Sequence, residues 1–131
     1  QVNRTSIRFY TAPQLDPTIT MRSSRILMKP SFPFKLHEML DEAENIPALK
    51  EIVSWQPHGR AFIVHNTILF IQEANKRSFF KQTKYPSFQR QLNLYGFRRI
   101  SAGIDKGAYH HKLFLRGKPD LSCRIPRMRI K

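Results

Sequence analysis

The sequence predicts an α+β fold in which a three-helix bundle packs on a small antiparallel sheet of four strands. Three stretches place apolar residues at helical spacing, and two pairs of short β-branched or aromatic runs each surround turn-forming residues. The predicted order is helix, strand, strand, helix, helix, strand, strand. Two consecutive helices followed by a two-stranded wing are typical of a winged helix-turn-helix.

The first helix is predicted to begin at about Phe32, where Pro33 suits the first helical turn. Its apolar face consists of Phe32, Leu36, Met39, Leu40 and Ala43. After a loop at Pro47, residues 52–55 and 61–65 are predicted to form a hairpin, because a Pro-Gly turn segment lies between them.

The second helix is predicted to begin at a cap formed by Asn66 or Thr67, and Phe79 and Phe80 are expected to enter the core just after it. Further on, residues 97–101 and 109–115 flank a loop bounded by glycines. This pattern predicts the second hairpin, which is the wing.

The third helix lies within residues 81–97, KQTKYPSFQRQLNLYGF. Pro86 suits its first turn, and Gly96 suits the left-handed position just beyond its end. One face is an apolar stripe of Phe88, Leu92 and Tyr95. The remaining arc carries side chains whose hydrogen-bonding geometry matches base edges in the major groove of DNA. They are Ser87, Gln89, Arg90, Gln91 and Asn93.

The charge of the chain is strongly positive and unevenly distributed. Its 23 basic and 9 acidic side chains give a formal net charge of +14. Residues 32–75 hold three basic and six acidic side chains, net −3, whereas residues 76–131 hold 15 basic and two acidic, net +13. Positive charge concentrated in one half is typical of a protein that binds a polyanion.

The sequence favours the cytosol or the nucleus, because a single cysteine, Cys123, cannot form an internal disulfide. No apolar run approaches the roughly 18–20 residues of a membrane span, and the first residues lack the apolar region of a signal peptide. No membrane association is expected. Since the chain begins with Gln1 rather than Met, we expect a fragment or a processed product.

No cofactor, metal site or catalytic activity is expected. The histidines lie far apart and lack the paired spacing of zinc ligands. They are His37, His58, His65, His110 and His111. The basic half contains neither a phosphate-binding loop nor a nucleophile elbow, and Asp105 and Asp120 are its only carboxylates.

Three regions are expected along the chain. Residues 1–31 form a flexible basic arm, residues 32–121 the winged-helix domain, and residues 122–131 a basic linker or tail. The arm either stays solvated or contacts DNA. The tail is either a solvated linker or a nuclear localisation patch.

Residues 87–97, SFQRQLNLYGF, closely resemble the recognition-helix signature of heat shock transcription factors. Three other motifs resemble that family in the same order. They are FPFKLHEML at 32–40, similar to the first helix, SWQPHGRAFIVH at 54–65, similar to the first hairpin, and HKLFLRGKPDL at 111–121, similar to the closing strand and exit.

This resemblance implies a winged-helix domain that binds inverted GAA-type repeats in double-stranded DNA, in a nuclear transcription regulator of the stress response. Arg90 matches the family arginine that reads guanine, and a bidentate arginine is the commonest specific contact to that base. The residues expected to contact the DNA backbone or support docking are Ser87, Gln91, Asn93, Tyr95, Lys81, Lys84 and Lys118.

The resemblance also bears on assembly. Family members trimerise through a heptad coiled coil, and no heptad repeat follows Leu121, so a homotrimer would require a coiled coil outside this chain. In the family the wing tends to face neighbouring protein, and a wing that contacts DNA is the alternative.

The chain departs from the family pattern at two places. Residues 74–77 replace an apolar residue followed by proline, with one extra residue, at the end of the second helix. Lys84 and Pro86 stand where small polar residues are frequent, which adds a positive charge and removes a hydroxyl group. The alternative function is therefore a basic winged-helix module that binds RNA or mediates protein assembly, with altered DNA specificity.

Overall fold

The helices and strands follow the predicted order along residues 30–81 and 84–128, the parts of the chain that the computed structural model describes. The helices are α1 (Phe32–Asn45), α2 (Pro47–Lys50), α3 (Thr67–Lys76), α4 (Tyr85–Leu94) and α5 (Pro119–Ser122). The strands are β1 (Val53–Trp55), β2 (Phe62–Val64), β3 (Arg98–Arg99) and β4 (Tyr109–His110). They form an antiparallel sheet in the order β1-β2-β4-β3, which confirms the predicted α+β winged helix-turn-helix.

α1 begins where the sequence provides a cap. The Ser31 side chain accepts a hydrogen bond from the Phe34 backbone N–H at 3.4 Å, and Pro33 occupies the first turn. The predicted apolar face is buried apart from Phe32, which is half-buried, and the carboxylates of α1 lie on the outside. Glu38, Glu42 and Glu44 are exposed, although the Glu38 carboxylate is partly covered by its neighbours.

Several features differ from the predicted elements, among them the short helix α5, which was not predicted. Pro47 begins the short helix α2 rather than a simple loop, because proline fits a first helical turn and Leu49 then reaches the core. The wing strands are also shorter than residues 97–101 and 109–115. After β4, the Phe114 N–H donates to the His111 carbonyl at 2.9 Å, and this turn buries Phe114 instead of extending the strand.

α3 ends in a Schellman motif, in the segment where the chain departs from the family pattern. Ser78 has a left-handed φ of 65°, and its N–H donates to the Asn75 carbonyl at 3.0 Å. The Phe79 N–H donates to the Ala74 carbonyl at 2.9 Å. This turn directs Phe79 and Phe80 into the core, as predicted.

The core contains two groups of aromatic rings. One group joins α1, α3 and the helix α4, and consists of Phe32, Phe70, Phe80 and Phe88. The other group lines the sheet, and consists of Trp55, Phe62, Phe97, Tyr109 and Phe114. α4 therefore adjoins both groups, through Phe88 within the helix and Phe97 just beyond its end.

His37 connects α1 to the segment that follows the sheet. Its side chain is 0% exposed, with Nε2 lying 2.8 Å from the Leu115 carbonyl oxygen and Nδ1 3.1 Å from the Asp41 carboxylate. The ring also packs edge-on against Trp55 and Phe114. Since a carbonyl oxygen only accepts, Nε2 must carry a proton.

The chain stays packed beyond Leu121. Ser122 and Ile125 are buried, and the Met128 N–H donates to the Leu94 carbonyl at the end of α4 at 2.6 Å. The limits of the predicted arm, domain and tail remain predictions. Residues 1–29 of the arm and residues 129–131 of the tail lie outside the described part of the chain.

Candidate nucleic-acid interface

The apolar face of α4 fixes this helix to the rest of the domain. Phe88 and Leu92 are both 0% exposed. The Phe88 ring centre lies 4.6 Å from that of Phe70 on α3 and 5.7 Å from that of Phe32 on α1. Burial of one such side chain stabilises a fold by roughly 1.5–3 kcal/mol. The opposite face of α4 is therefore held at a defined angle.

Arg90 lies on that opposite, solvent-facing side. Ser87, Arg90 and Asn93 are spaced three residues apart, so they form one row along the helix. Arg90 and Asn93 are exposed, and Ser87 is half-buried. Among the residues that the structure describes, no carboxylate pairs with the Arg90 guanidinium. All five of its N–H donors are thus available to a ligand.

Two other predicted contacts lie beside this row. Gln91 is half-buried and lies about 100° further round the helix from Arg90. Tyr95 is half-buried at the helix end, where its ring stacks on Phe32 with centres 5.5 Å apart and 28° between the planes. Tyr95 therefore contributes to packing at the end of α4.

The three predicted lysines divide between two places. Lys81 and Lys84 precede α4 and are both exposed. Lys84 is the N-cap residue, and its side chain makes no capping hydrogen bond. Lys118 is also exposed, but it precedes α5, which packs on α1. Lys81 and Lys84 are thus grouped with α4, whereas Lys118 belongs to a different element.

Two arginines that were not predicted as contacts lie directly beyond α4. Arg98 and Arg99 form β3, and both are exposed. With Met128 and residues 93, 96 and 97 they line a cleft of about 410 Å³. The sequence itself carries a signal for this basic surface, because two adjacent arginines follow shortly after Gly96. The approach of Met128 carries no such signal, because it depends on the return of the chain to the end of α4 after α5.

The end of α4 has the geometry predicted for Gly96. This glycine has a φ of +77°, its N–H donates to the Asn93 carbonyl at 3.0 Å, and the Phe97 N–H donates to the Leu92 carbonyl at 2.9 Å. A Cβ atom at Gly96 would lie only 2.9 Å from the Met128 sulfur. Both the backbone and the close approach of Met128 therefore favour glycine here.

Gln89 differs from the other polar residues of the predicted base-reading arc. Its Nε2–H donates to the Tyr109 hydroxyl on β4 at 3.0 Å, so this side chain ties α4 to the sheet. Nearby, burial, and to a smaller extent the neighbouring Tyr109, raises the pKa of the Tyr85 phenol well above its usual value. Tyr85 therefore stays neutral. The hydrogen bond to Tyr109 shows that Gln89 positions the helix rather than facing a ligand.

The wing loop is fastened to the first hairpin through Asp105. The Asp105 carboxylate accepts a hydrogen bond from Gln56 Nε2 at 2.8 Å and lies 2.9 Å from His58 Nε2. These hydrogen bonds lower the pKa of Asp105. The two alternatives for the wing, contact with DNA or with a neighbouring protein, remain predictions.

Residues 30–81 and 84–128 contain neither a candidate metal site nor a membrane-spanning helix. No group of three or more histidine, cysteine, aspartate or glutamate side chains there could hold a metal ion. In the same ranges, no helix has both the length and the apolar character needed to cross a bilayer.

Comparison with protein families gives a match to the model described as HSF-type DNA-binding, over residues 32–128. Heat stress transcription factor A-1 of Oryza sativa subsp. japonica is 38% identical over 98 residues, which is 75% of this chain and 18% of that protein. The heat shock transcription factor of Saccharomyces cerevisiae is 31% identical over 110 residues, which is 77% of this chain and 13% of that protein. The chain thus spans less than one fifth of the length of either relative.

Two solved structures have a similar fold, and both are of Chaetomium thermophilum Skn7. The structure with HSE DNA has a TM-score of 0.59 and 30% identity, and the match covers 73% of this chain and 98% of the Skn7 chain. The structure with SSRE DNA has a TM-score of 0.61 and 26% identity, and the match covers 74% of this chain and 98% of the Skn7 chain. With a family match over residues 32–128, the chain belongs to the HSF-type DNA-binding family, that of the heat shock transcription factors.

Proposed function

We propose that this chain is a sequence-specific, double-stranded DNA-binding domain of a transcription regulator, and that it reads GAA-type repeats by placing α4 in the major groove. The observation that carries this proposal is the position of Arg90. Its guanidinium lies on the solvent-facing side of a helix whose other side, at Phe88 and Leu92, is fully buried. A reading helix needs both properties, because the fold must present its donors at a fixed angle.

Binding would occur in two steps. The basic second half of the chain first attracts the phosphate backbone without regard to sequence. Arg90 then donates two hydrogen bonds to O6 and N7 of a guanine, which distinguishes that base from the others. Ser87, Gln91, Asn93 and Tyr95 on α4 fix its register through backbone contacts, together with Lys81 and Lys84 before it. Lys118 would meet a more distant phosphate.

The DNA-bound Skn7 structures support this assignment, since HSE DNA and SSRE DNA are the ligands that their descriptions name for that protein. Resemblance to the family further supports a nuclear location, a part in the stress response and a homotrimer formed through a coiled coil outside this chain. No catalytic step and no cofactor form part of the proposed function.

Competition between duplexes tests the proposal. The chain is titrated at fixed physiological salt against a labelled GAA-repeat duplex, with unlabelled GAA-repeat duplex, scrambled duplex of equal composition, or RNA of the same sequence as competitor. We expect the GAA-repeat duplex to compete at least about tenfold more effectively than the scrambled one, within the usual range of specificity ratios. Equal competition by the two duplexes would instead favour the alternative, a module for RNA binding or protein assembly.

A further inference from the structure

The first turn of α4 presents an apolar side chain on the solvent-facing side of the helix. Pro86 is exposed and precedes Arg90 by four residues, so the two side chains lie one above the other on the same face. Proline has no side-chain donor and no backbone N–H. Pro86 therefore cannot recognise a base edge by donating a hydrogen bond.

Pro86 also borders an apolar groove between α3 and α4. This groove has a volume of about 390 Å³ and is lined by Thr67, Ile68, Ile71, Gln72, Lys84, Tyr85 and Pro86. Ile68 is 71% exposed, although isoleucine is among the residue types most often buried. The groove thus continues the solvent-facing side of α4 as an apolar surface, and Lys84 adds a positive charge at its margin.

The position of Pro86 is fixed by its neighbours. The Tyr85 ring packs between Phe88 and Phe70, with centres 5.6 Å and 6.3 Å away, and the Ser87 N–H donates to the Lys84 carbonyl at 3.1 Å. The proline ring itself has no rotamer freedom to lose when it becomes buried. A contact made through Pro86 would therefore cost little conformational entropy.

In the major groove, the apolar feature that a base edge offers is the 5-methyl group of thymine. The first residues of a recognition helix are also the ones that contact base edges. Four helical residues rise about 6 Å along the axis, which corresponds to roughly two base-pair steps of about 3.4 Å. Pro86 thus reaches bases close to the one that Arg90 contacts.

We infer that Pro86, with Ile68 beside it, contacts the methyl group of a thymine within about two base pairs of the guanine that Arg90 reads. This inference rests on the proposed function, in which Arg90 reads guanine in a GAA-type site. The two adenines of such a site pair with thymines, so the methyl groups lie next to that guanine. Pro86 would then determine specificity at a neighbouring A·T pair.

Deoxyuridine tests the contact, because it differs from thymidine only by the missing methyl group. Affinity of the chain is measured at fixed salt for a GAA-repeat duplex and for the same duplex with deoxyuridine opposite the adenines. We expect a loss of roughly fourfold for each contacted methyl group, the factor that burial of one such group provides. In the Pro86→Ser variant, the two duplexes should bind within about twofold of each other.

Two further variants complete the comparison. Pro57→Ser changes an exposed proline in the first hairpin and should keep the full effect of deoxyuridine. Pro86→Ala, which retains a methyl group on a helix-favouring residue, should show an intermediate effect and serves if Pro86→Ser does not fold. An unaltered chain that ignores deoxyuridine, or Pro86 variants that both keep its full effect, would overturn the contact. If GAA preference persists in that case, only the methyl contact is rejected, whereas equal binding of GAA and scrambled duplexes rejects the proposed function as well.

Discussion

At the scale of single residues, substitution of Arg90 can separate the effect of the guanidinium shape on DNA binding from the effect of its charge. The guanidinium is a planar fork that matches O6 and N7 of guanine, whereas a lysine ammonium is a point charge on a flexible stem. Both groups attract phosphate. Only the fork provides bidentate geometry, so the two contributions to binding can be distinguished by substitution at one position.

We expect Arg90→Ala to weaken binding to the specific site by about 1–3 kcal/mol and to relax discrimination at one base. Arg90→Lys should lose most of the same discrimination while it keeps the charge. Equilibrium titrations against duplexes with each base at the guanine position measure both effects. Unchanged sequence preference in Arg90→Ala would show that this residue does not read a base.

Lys84 is expected to act through charge alone. Since it is exposed at the start of α4, Lys84→Ala should lower affinity for all duplexes alike and reduce the slope of log K against log salt by about one. Lys50→Ala is the matched control, because Lys50 is an exposed lysine on α2, away from α4. If the two variants gave the same slope, Lys84 would have no phosphate partner.

At the scale of elements, α3 and α4 end in the same Schellman motif but with different residues at the left-handed position. α4 has Gly96 with a φ of +77°, and α3 has Ser78 with a φ of 65°. A left-handed conformation costs an L-residue roughly 1–2 kcal/mol, whereas glycine adopts it without that cost. The turn that ends α3 therefore contains a strained serine.

We expect Ser78→Gly to raise the free energy of unfolding by about 0.5–1 kcal/mol, which is the relief of strain less the extra entropy of glycine in the unfolded chain. Ser101→Gly is the control, since Ser101 is exposed and has no positive φ, and it should give no gain. Urea denaturation of the three proteins measures the difference. A loss of stability in Ser78→Gly would show that the serine is not strained.

An element can be predicted from the sequence when the residues that determine it lie close together in the chain. The bounds of α4 follow from Pro86 and Gly96, and its buried face from Phe88 and Leu92, all within one stretch of sequence. The tie between Gln89 and Tyr109 could not be predicted, because it joins residues 20 positions apart. The short length of strand β4 could not be predicted either, since the turn that buries Phe114 depends on packing against the rest of the sheet.

The same reasoning applies to the candidate interface. The exposed position of Arg90 was predictable from the amphipathic pattern of α4, whereas its role in reading a base remains a prediction. Arg98 and Arg99 are adjacent basic residues and were therefore visible in the sequence as candidate contacts, but they lie outside the helix that carries the family motif. The cleft that they share with Met128 forms only when the segment after α5 returns to the Leu94 carbonyl.

At the scale of the whole molecule, one buried ring joins the first helix to the segment that follows the sheet. Burial lowers the pKa of His37, but hydrogen bonds to Asp41 and to the Leu115 carbonyl, with the charge of Asp41, outweigh it, so the pKa is raised. The protonated ring donates through both nitrogens. His37 therefore connects α1 to the exit from the sheet, and this connection carries a charge when the ring is protonated.

Stability is expected to depend on pH through this ring. Because the pKa is higher in the folded than in the unfolded chain, protonated His37 stabilises the fold fully below about pH 6.5, and the contribution is lost as pH rises through the folded pKa. The loss should be at most about 1 kcal/mol, since Asp41 is 48% exposed and screened by solvent. The free energy of unfolding, measured between about pH 5 and 8.5, should fall more steeply in the unaltered chain than in His37→Gln.

The His37→Gln curve also serves as the reference for other groups. Burial, followed by the charges of Glu42 and Asp41, raises the pKa of Glu38, so its ionisation also lowers stability as pH rises, at a lower pH than His37. This contribution is present in both proteins, but it does not cancel completely, because the charge of His37 lowers the pKa of Glu38. Asp41→Asn should reduce the difference, because it removes the charge that favours the protonated ring. Parallel curves for the unaltered chain and His37→Gln would mean that the ring is neutral in the fold, and that the link between α1 and Leu115 depends on hydrogen bonding alone.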